Sequence, residues 1–373
     1  LKEAHKIINM NKVAVIGIGR LGLCFALNLE KVGYTVWGID TNLDYLAALQ
    51  SKSFQSNEPE LESYLKAATA FYPVSDSSVI FDQNIDYIFI LVPTPSKQDG
   101  SFSHDYIDEL VSQLLRKTPL DGKQRHIIIG STVMPGYCDS LFERVHSFGY
   151  TINYNPEFIA QGSIIRDQQF PDQILIGEGH EDVTLKLKEI YGKMCQSNPT
   201  FHAMSLKSAE ICKLATNCFL TMKISFANAI GDLANKTGAN PNEILAAIGS
   251  DSRIGTKYLN YGFGYGGPCF PRDNQALSKF ATQNEFPLYL SQATINVNKQ
   301  HLEYQLEDYI NANREEYIFD YVTYKKDTDI LEESQQFQLA LELVKSGKKV
   351  KIKNSALIQD KIEKEYPNHF EFI

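Results

Sequence analysis

Cys269 stands directly behind the stretch Gly262-Phe263-Gly264-Tyr265-Gly266-Gly267-Pro268, and Arg272 and Asp273 follow it closely. Glycine lets a backbone come close to a ligand, because no side chain intervenes. A cysteine in such a place acts as a nucleophile when its thiolate is favoured. A nearby cation, or a helix that begins just behind the cysteine, favours the thiolate. A helix is predicted after Pro271, since proline is tolerated in a first turn and Ala276, Leu277, Phe280 and Ala281 follow at helical spacing. A buried structural cysteine beside a tight turn would carry the same signature.

A second constellation is Gly17-Ile18-Gly19-Arg20-Leu21-Gly22, a G-x-G-x-x-G between a short apolar run (Lys12–Ile16) and a helical pattern (Leu21–Lys31) closed by Gly33. Asp40 ends the next β-rich run. In this context the glycines permit a tight turn and the approach of a pyrophosphate to a helix N-terminus. Asp40 would accept hydrogen bonds from ribose hydroxyls and repel a 2′-phosphate, which favours NAD over NADP. Gly17, Gly19, Leu21, Gly22 and Asp40 are therefore candidate cofactor contacts.

Three further segments carry polar groups where a ligand could use them. Val92-Pro93-Thr94-Pro95 and Ser131-Thr132-Val133 follow apolar strands, and ligands of open parallel sheets gather at the strands' carboxyl ends. Thr94 and Thr132 are candidates to touch cofactor or substrate; strand-terminating turns read the same way. Asn155-Pro156-Glu157-Phe158 sets a carboxylate in a loop, where it serves as a general base or as a solvated surface group. Lys213 and Asn217, four apart, share one face of a predicted helix. A lysine in an apolar helix must find a partner, a ligand or a route for its head group to water.

The elements that must position these groups form three regions. Apolar strand runs at 12–16, 34–39, 86–92 and 126–130, spaced by helices, predict a parallel sheet covered on both faces. The stretch 205–236 is rich in Ala, Leu, Ile and Phe and predicts one long buried helix. From 315 a small α/β unit is predicted, with strands at 317–324 and 347–352 around a helix at 333–345. The expected domains are 11–204 (dinucleotide-binding, Rossmann-type doubly wound sheet), 205–312 (central helical, dimerising) and 313–373 (short C-terminal α/β). A net charge of −9 argues against nucleic acid and against an anionic membrane. No apolar run approaches the ~18 residues of a membrane span. Leu1–Met10 do not read as a signal peptide. The six cysteines include no Cys-x-x-Cys pair, so neither a zinc site nor a disulfide framework is expected, and reduced thiols fit a cytoplasm.

Taken in order, these motifs resemble the UDP-glucose/GDP-mannose dehydrogenase family of nucleotide-sugar dehydrogenases over roughly 12–300. Ser208-Ala209-Glu210 and Asp251-Ser252-Arg253-Ile254-Gly255 belong to the same ordered set. Asn217–Leu220 and Lys223–Asn228 look most like the UDP-glucose 6-dehydrogenase branch. The resemblance implies a four-electron oxidation of a sugar C6 alcohol to a carboxylate with two NAD, by way of a thiohemiacetal and thioester on Cys269. It implies Lys213 and Asn217 as donors to the oxyanions, and Asp273, Thr132 and Glu157 as candidate bases or proton carriers. Arg272 joins the cofactor contacts. Phe158, Lys213, Asn217, Arg253, Tyr258, Asn260 and Gly266 would contact the sugar nucleotide, Arg253 across a homodimer interface built on the long helix.

Three positions depart from the family pattern. Gln161 stands where the family often has a second glutamate, and Arg272 where many members have lysine. In Tyr324–Ser334 the family's arginine is Glu332, and the region after 313 is about half the family's usual length. The alternatives are the same chemistry on another nucleotide hexose, such as a UDP-N-acetylhexosamine or GDP-mannose, and a weakened member that binds nucleotide sugars without turnover.

Overall fold

The computed structural model describes residues 11–159 and 162–373, so the expectations for Leu1–Met10 and Gln161 fall outside it. Two compact units divide the chain, the first ending at Lys213 and the second running from Leu214 to Ile373.

The first unit is built on an eight-stranded sheet. Its strands are β1 (Lys12–Ile16), β2 (Thr35–Ile39), β3 (Phe71–Val74), β4 (Tyr87–Ile90), β5 (Arg125–Ile129), β6 (Tyr150–Tyr154), β7 (Gln173–Glu178) and β8 (Thr200–Ser205), in the order β3-β2-β1-β4-β5-β6-β7-β8. Strand residues alternate between two apolar layers. Val13 and Val15 join Leu23, Phe25 and Leu27 on one face. Ala14 and Ile16 join Ile88, Ile90, Ile127 and Ile129 on the other. Burial on both faces explains why these runs are apolar at nearly every position. The sheet is parallel as expected, except that β6 and β7 pair antiparallel. Order and reversal of the connections make this a doubly wound sheet with a two-strand extension.

The long helix spans Leu206–Thr237 and agrees with its expected bounds to a residue or so at each end. Its first turns are anchored in the first unit by Glu210, 0% exposed, which accepts from the amides of Gly136 (2.5 Å) and Cys138 (2.8 Å). The carboxylate thereby satisfies the free amides that open the helix Tyr137–Val145.

The second unit holds the rest of the long helix, the helices Pro241–Gly249, Phe270–Gln283 and Tyr289–Asn311, and a small parallel sheet. That sheet has the order β11-β10-β9, with β9 (Glu316–Phe319), β10 (Lys349–Ile352) and β11 (Glu371–Phe372). β9 is shorter than the expected 317–324, because the chain turns off at Asp320 and Tyr321–Leu331 run without regular structure. The helix expected at 333–345 begins at Gln335, after Ser334 caps it by accepting from the amide of Phe337. Leu302, Leu306 and Tyr309 of Tyr289–Asn311 pack on the core of this sheet. Among the described residues no helix is long and apolar enough to cross a membrane.

Candidate active site

The glycine turn lies between β1 and the helix Arg20–Lys31, where the sequence sets it. Gly17 has φ +84°, and a Cβ there would stand 2.6 Å from the carbonyl oxygen of Leu91. A Cβ on Gly22 would collide with the carbonyl of Gly17. Both glycines are thus required by the protein's own packing. Gly19 differs: a Cβ there would meet nothing within 4 Å, so its backbone faces open space at the helix start. That is the geometry a pyrophosphate requires, and the turn fits a dinucleotide. Leu21 is half-buried in the first helical turn. Asp40 is half-buried at the end of β2 and accepts from the amide of Asn42 (3.1 Å). Tyr45 pins the turn by donating to the carbonyl of Ile18 (2.7 Å), a contact the sequence motif does not announce.

The two strand-end turns are tied together. Thr94 donates its hydroxyl to the carbonyl of Thr132 (2.6 Å), and Ser131 donates to the carbonyl of Val92 (2.7 Å). Thr94 is buried while Thr132 stays half-buried. Of the pair, Thr132 is the more exposed.

Glu157 is not a solvated surface carboxylate. The residue is half-buried, and desolvation pushes its carboxyl up to about 7, against the opposing pull of a hydrogen bond from Tyr191 and of the Lys213 charge. Its loop is held by Asn155, whose amide nitrogen donates to Ile129 (2.8 Å) and whose side chain donates to Leu175 (3.0 Å). Lys213 is buried, with Nζ 4.6 Å from the centre of the Phe158 ring, a cation–π distance. Glu157, Phe158 and Lys213, three of the expected site residues, therefore gather in the first unit.

In the second unit Asn217 donates to Asp273 across 2.6 Å, both side chains being buried. Arg272 lies beside the same carboxylate, with Nε 3.7 Å from Asp273. Cys269 is exposed, which removes the reading of a buried structural thiol. It occupies the position just before the helix Phe270–Gln283, which begins one residue before Pro271. The helix N-terminus favours an anion at this position. The glycine stretch before it is held by its backbone. Gly262 donates to Asn228 (3.1 Å), and its carbonyl accepts from His301 (2.6 Å) and Gln305 (3.2 Å). Gly264 donates to Gln335 (2.7 Å), and Asn298 pairs with both backbone groups of Tyr265 at 3.0 Å. Gly267 donates to the carbonyl of Glu332 (3.1 Å). A Cβ on Gly266 would strike the carbonyl of Glu333. His301 is oriented in turn by Asp232, 2.9 Å from Nδ1.

The remaining expected substrate contacts are exposed. Arg253 lies flat on Asp251 (3.0 and 2.6 Å). Tyr258 adopts φ +64°, a left-handed backbone uncommon for a tyrosine, and Asn260 follows it at the surface. Sequence reasoning missed Tyr191, His301 with Asp232, Asn298 and Gln335. No local pattern in the sequence marks them.

An open glycine turn at the switch of a doubly wound sheet defines a dinucleotide-binding α/β protein. The profile of the UDP-glucose/GDP-mannose dehydrogenase family's NAD binding domain matches residues 11–195, and that of its central domain matches 207–300. The chain belongs to this family, and the cofactor of its first domain is NAD. It is 31% identical over 291 residues to the UDP-glucose 6-dehydrogenase of Rickettsia prowazekii, covering 77% of this chain and 66% of that protein. It is 30% identical over 302 residues to UDP-glucose 6-dehydrogenase YwqF of Bacillus subtilis, with the same coverages. The structure of a UDP-glucose dehydrogenase from Pyrobaculum islandicum superposes with a TM-score of 0.89 at 28% identity, over 98% of this chain and 86% of that one. The chain spans about two thirds of the length of the curated relatives it matches.

Proposed function

We propose that the protein oxidises the C6 alcohol of a nucleotide sugar to the carboxylate with NAD, and that UDP-glucose is the substrate, giving UDP-glucuronate. The observation that carries this reading is the exposed Cys269 at a helix start, behind a glycine loop whose backbone is held almost residue by residue. An oxidation that stopped at the aldehyde would need no such thiol.

NAD, when bound, supplies the hydride acceptor for both oxidations. Gly17, Gly19, Leu21 and Gly22 would hold its pyrophosphate, Asp40 its adenosine ribose, and Thr94, Thr132 and Arg272 would complete the contacts. Cys269 Sγ adds to the carbon of the C6 aldehyde to give a thiohemiacetal. The second oxidation turns this adduct into a thioester, which water cleaves to the acid and the free thiolate. Lys213 and Asn217 would donate to the oxyanions formed at C6. Asp273, Thr132 and Glu157 would carry the protons, with Glu157 suited to general acid–base work near neutral pH. Phe158, Arg253, Tyr258, Asn260 and Gly266 would line the nucleotide-sugar site.

The working division is 11–204 for cofactor, 205–312 for dimerisation and 313–373 for the nucleotide sugar. Phe219, Phe226 and Leu233 are exposed at seven-residue spacing on the long helix, an unpartnered apolar stripe that supports a homodimer. The six free cysteines fit a reducing, cytoplasmic setting.

The test is NADH formation from NAD and a panel led by UDP-glucose, including GDP-mannose and UDP-N-acetylhexosamines, with product counted against NADH. Two NADH per UDP-glucuronate is the expected result. Turnover confined to another sugar would move the reading to that substrate. Binding without turnover would favour the weakened member that Glu332 suggests.

A further inference from the structure

Tyr191 lies in the helix Glu181–Met194, far in sequence from every expected site residue, and is 1% exposed. Its hydroxyl oxygen is 2.7 Å from Asn155 Oδ1 and 3.3 Å from Glu157 Oε1. Asn155 donates its Nδ2 to the carbonyl of Leu175, so the orientation of its amide is set and an acceptor faces the phenol. A phenol has one proton to donate and lone pairs to accept with. It cannot donate to both neighbours at once.

We propose that Tyr191 is a positioning residue for Glu157, one that holds the carboxyl in place in both of its protonation states. When Glu157 is protonated, its O–H donates to the phenol oxygen, and the phenol donates to Asn155. When Glu157 is ionised, the phenol O–H turns from Asn155 to the carboxylate. The carboxyl thus gains and loses its proton with one partner always in place and no heavy atom displaced. Among the described residues, the charged or titratable groups facing Glu157 are Tyr191, Cys195 and Lys213. Of these only Tyr191 is placed to both donate and accept through one atom at hydrogen-bond distance. The inference rests on the reading of Glu157 as an acid–base group.

The experiment is the pH profile of kcat and KM for Tyr191→Phe, beside Glu157→Gln, with melting temperatures. Loss of the donor to the ionised carboxylate should move the acid limb up by about one pH unit. That shift lowers kcat about fivefold near pH 7 and leaves KM for the nucleotide sugar unchanged. An unmoved limb beside a lowered melting temperature would overturn the proposal, since a purely structural tyrosine predicts that result. If Tyr191→Phe does not fold, 3-fluorotyrosine at position 191 keeps the packing and strengthens the donor. It should move the limb to lower pH, and an unmoved limb again overturns the proposal. Glu157→Gln with unchanged rate at every pH would overturn the reading of Glu157 and this inference together. A dead Glu157→Gln beside an unmoved Tyr191→Phe profile would overturn the inference alone.

Discussion

Asn217 and Asp273, one from the long helix and one from the helix behind Cys269, meet at 2.6 Å with both side chains buried. The amide donor keeps a carboxylate in the protein interior beside Arg272. Asn217→Ala removes a donor and leaves that carboxylate short of one partner. The expected loss of stability is about 1–3 kcal/mol, read by denaturant unfolding. If Asn217 also serves an oxyanion, turnover should fall by ~10²–10³. A stability loss with turnover intact would restrict Asn217 to holding Asp273.

Cys269→Ser should separate the two oxidations. The exposed side chain accepts a hydroxyl without disturbing packing, so nucleotide-sugar and NAD binding should persist by calorimetry. NADH per UDP-glucose consumed should not exceed one, and no UDP-glucuronate should accumulate, because a serine hydroxyl does not form the thioester. Full four-electron turnover in this variant would rule out the thiol mechanism.

Gly19→Ala and Gly22→Ala should part company. Gly19 has φ −64° and open space around its missing Cβ, so alanine leaves the melting temperature unchanged. The new methyl lies where a pyrophosphate would approach, and the affinity for NAD should drop. Gly22→Ala drives a methyl into the Gly17 carbonyl and should lower the melting temperature of the first unit. Equal effects of the two changes on stability would contradict the open geometry at Gly19.

The raised pKa of Glu157 has a stability consequence of definite sign. Its folded value, about 7, lies above the 4.5 of a free glutamate, mainly through desolvation. The folded state therefore binds the proton more tightly than the unfolded chain. This group's contribution is fully present below about 4.5 and is lost as pH rises through about 7. Glu157→Gln should flatten the slope of stability against pH across that interval. An unchanged slope would count against the desolvated carboxyl.

Phe226→Asp places a charge at the middle of the exposed stripe Phe219–Phe226–Leu233. Sedimentation should report a lighter species than the parent protein, with the circular dichroism spectrum preserved. A parent protein that already sediments as a monomer would remove the proposed role of the stripe.

Much of this arrangement is legible in the sequence because it is local. Gly17, Gly19 and Gly22 with Asp40 lie within one βαβ stretch, and the steric demands on Gly17 and Gly22 come from its own turn and from the neighbouring strand end. Lys213 and Asn217 share a face by spacing alone. Cys269 is marked by the glycines before it and the helix behind it. The illegible part is tertiary. Tyr191 reaches Glu157 across 34 residues, and nothing in its helix separates it from an ordinary buried tyrosine. His301 and Asp232 are an unremarkable histidine and aspartate until both are seen to serve the Gly262 carbonyl. The antiparallel pairing of β7 also escapes periodicity, because an apolar strand has the same pattern in either direction.

The hold of Glu332 and Gln335 on the Cys269 loop sets an order of events during synthesis. A ribosome delivers Cys269 roughly 65 residues before Gln335, an interval of roughly 3–13 s at ~5–20 residues per second. Until the later segment emerges, the amides of Gly264 and Gly267 have only water to bind. The nascent chain therefore carries a thiol whose loop is not yet fixed in the conformation of the finished protein.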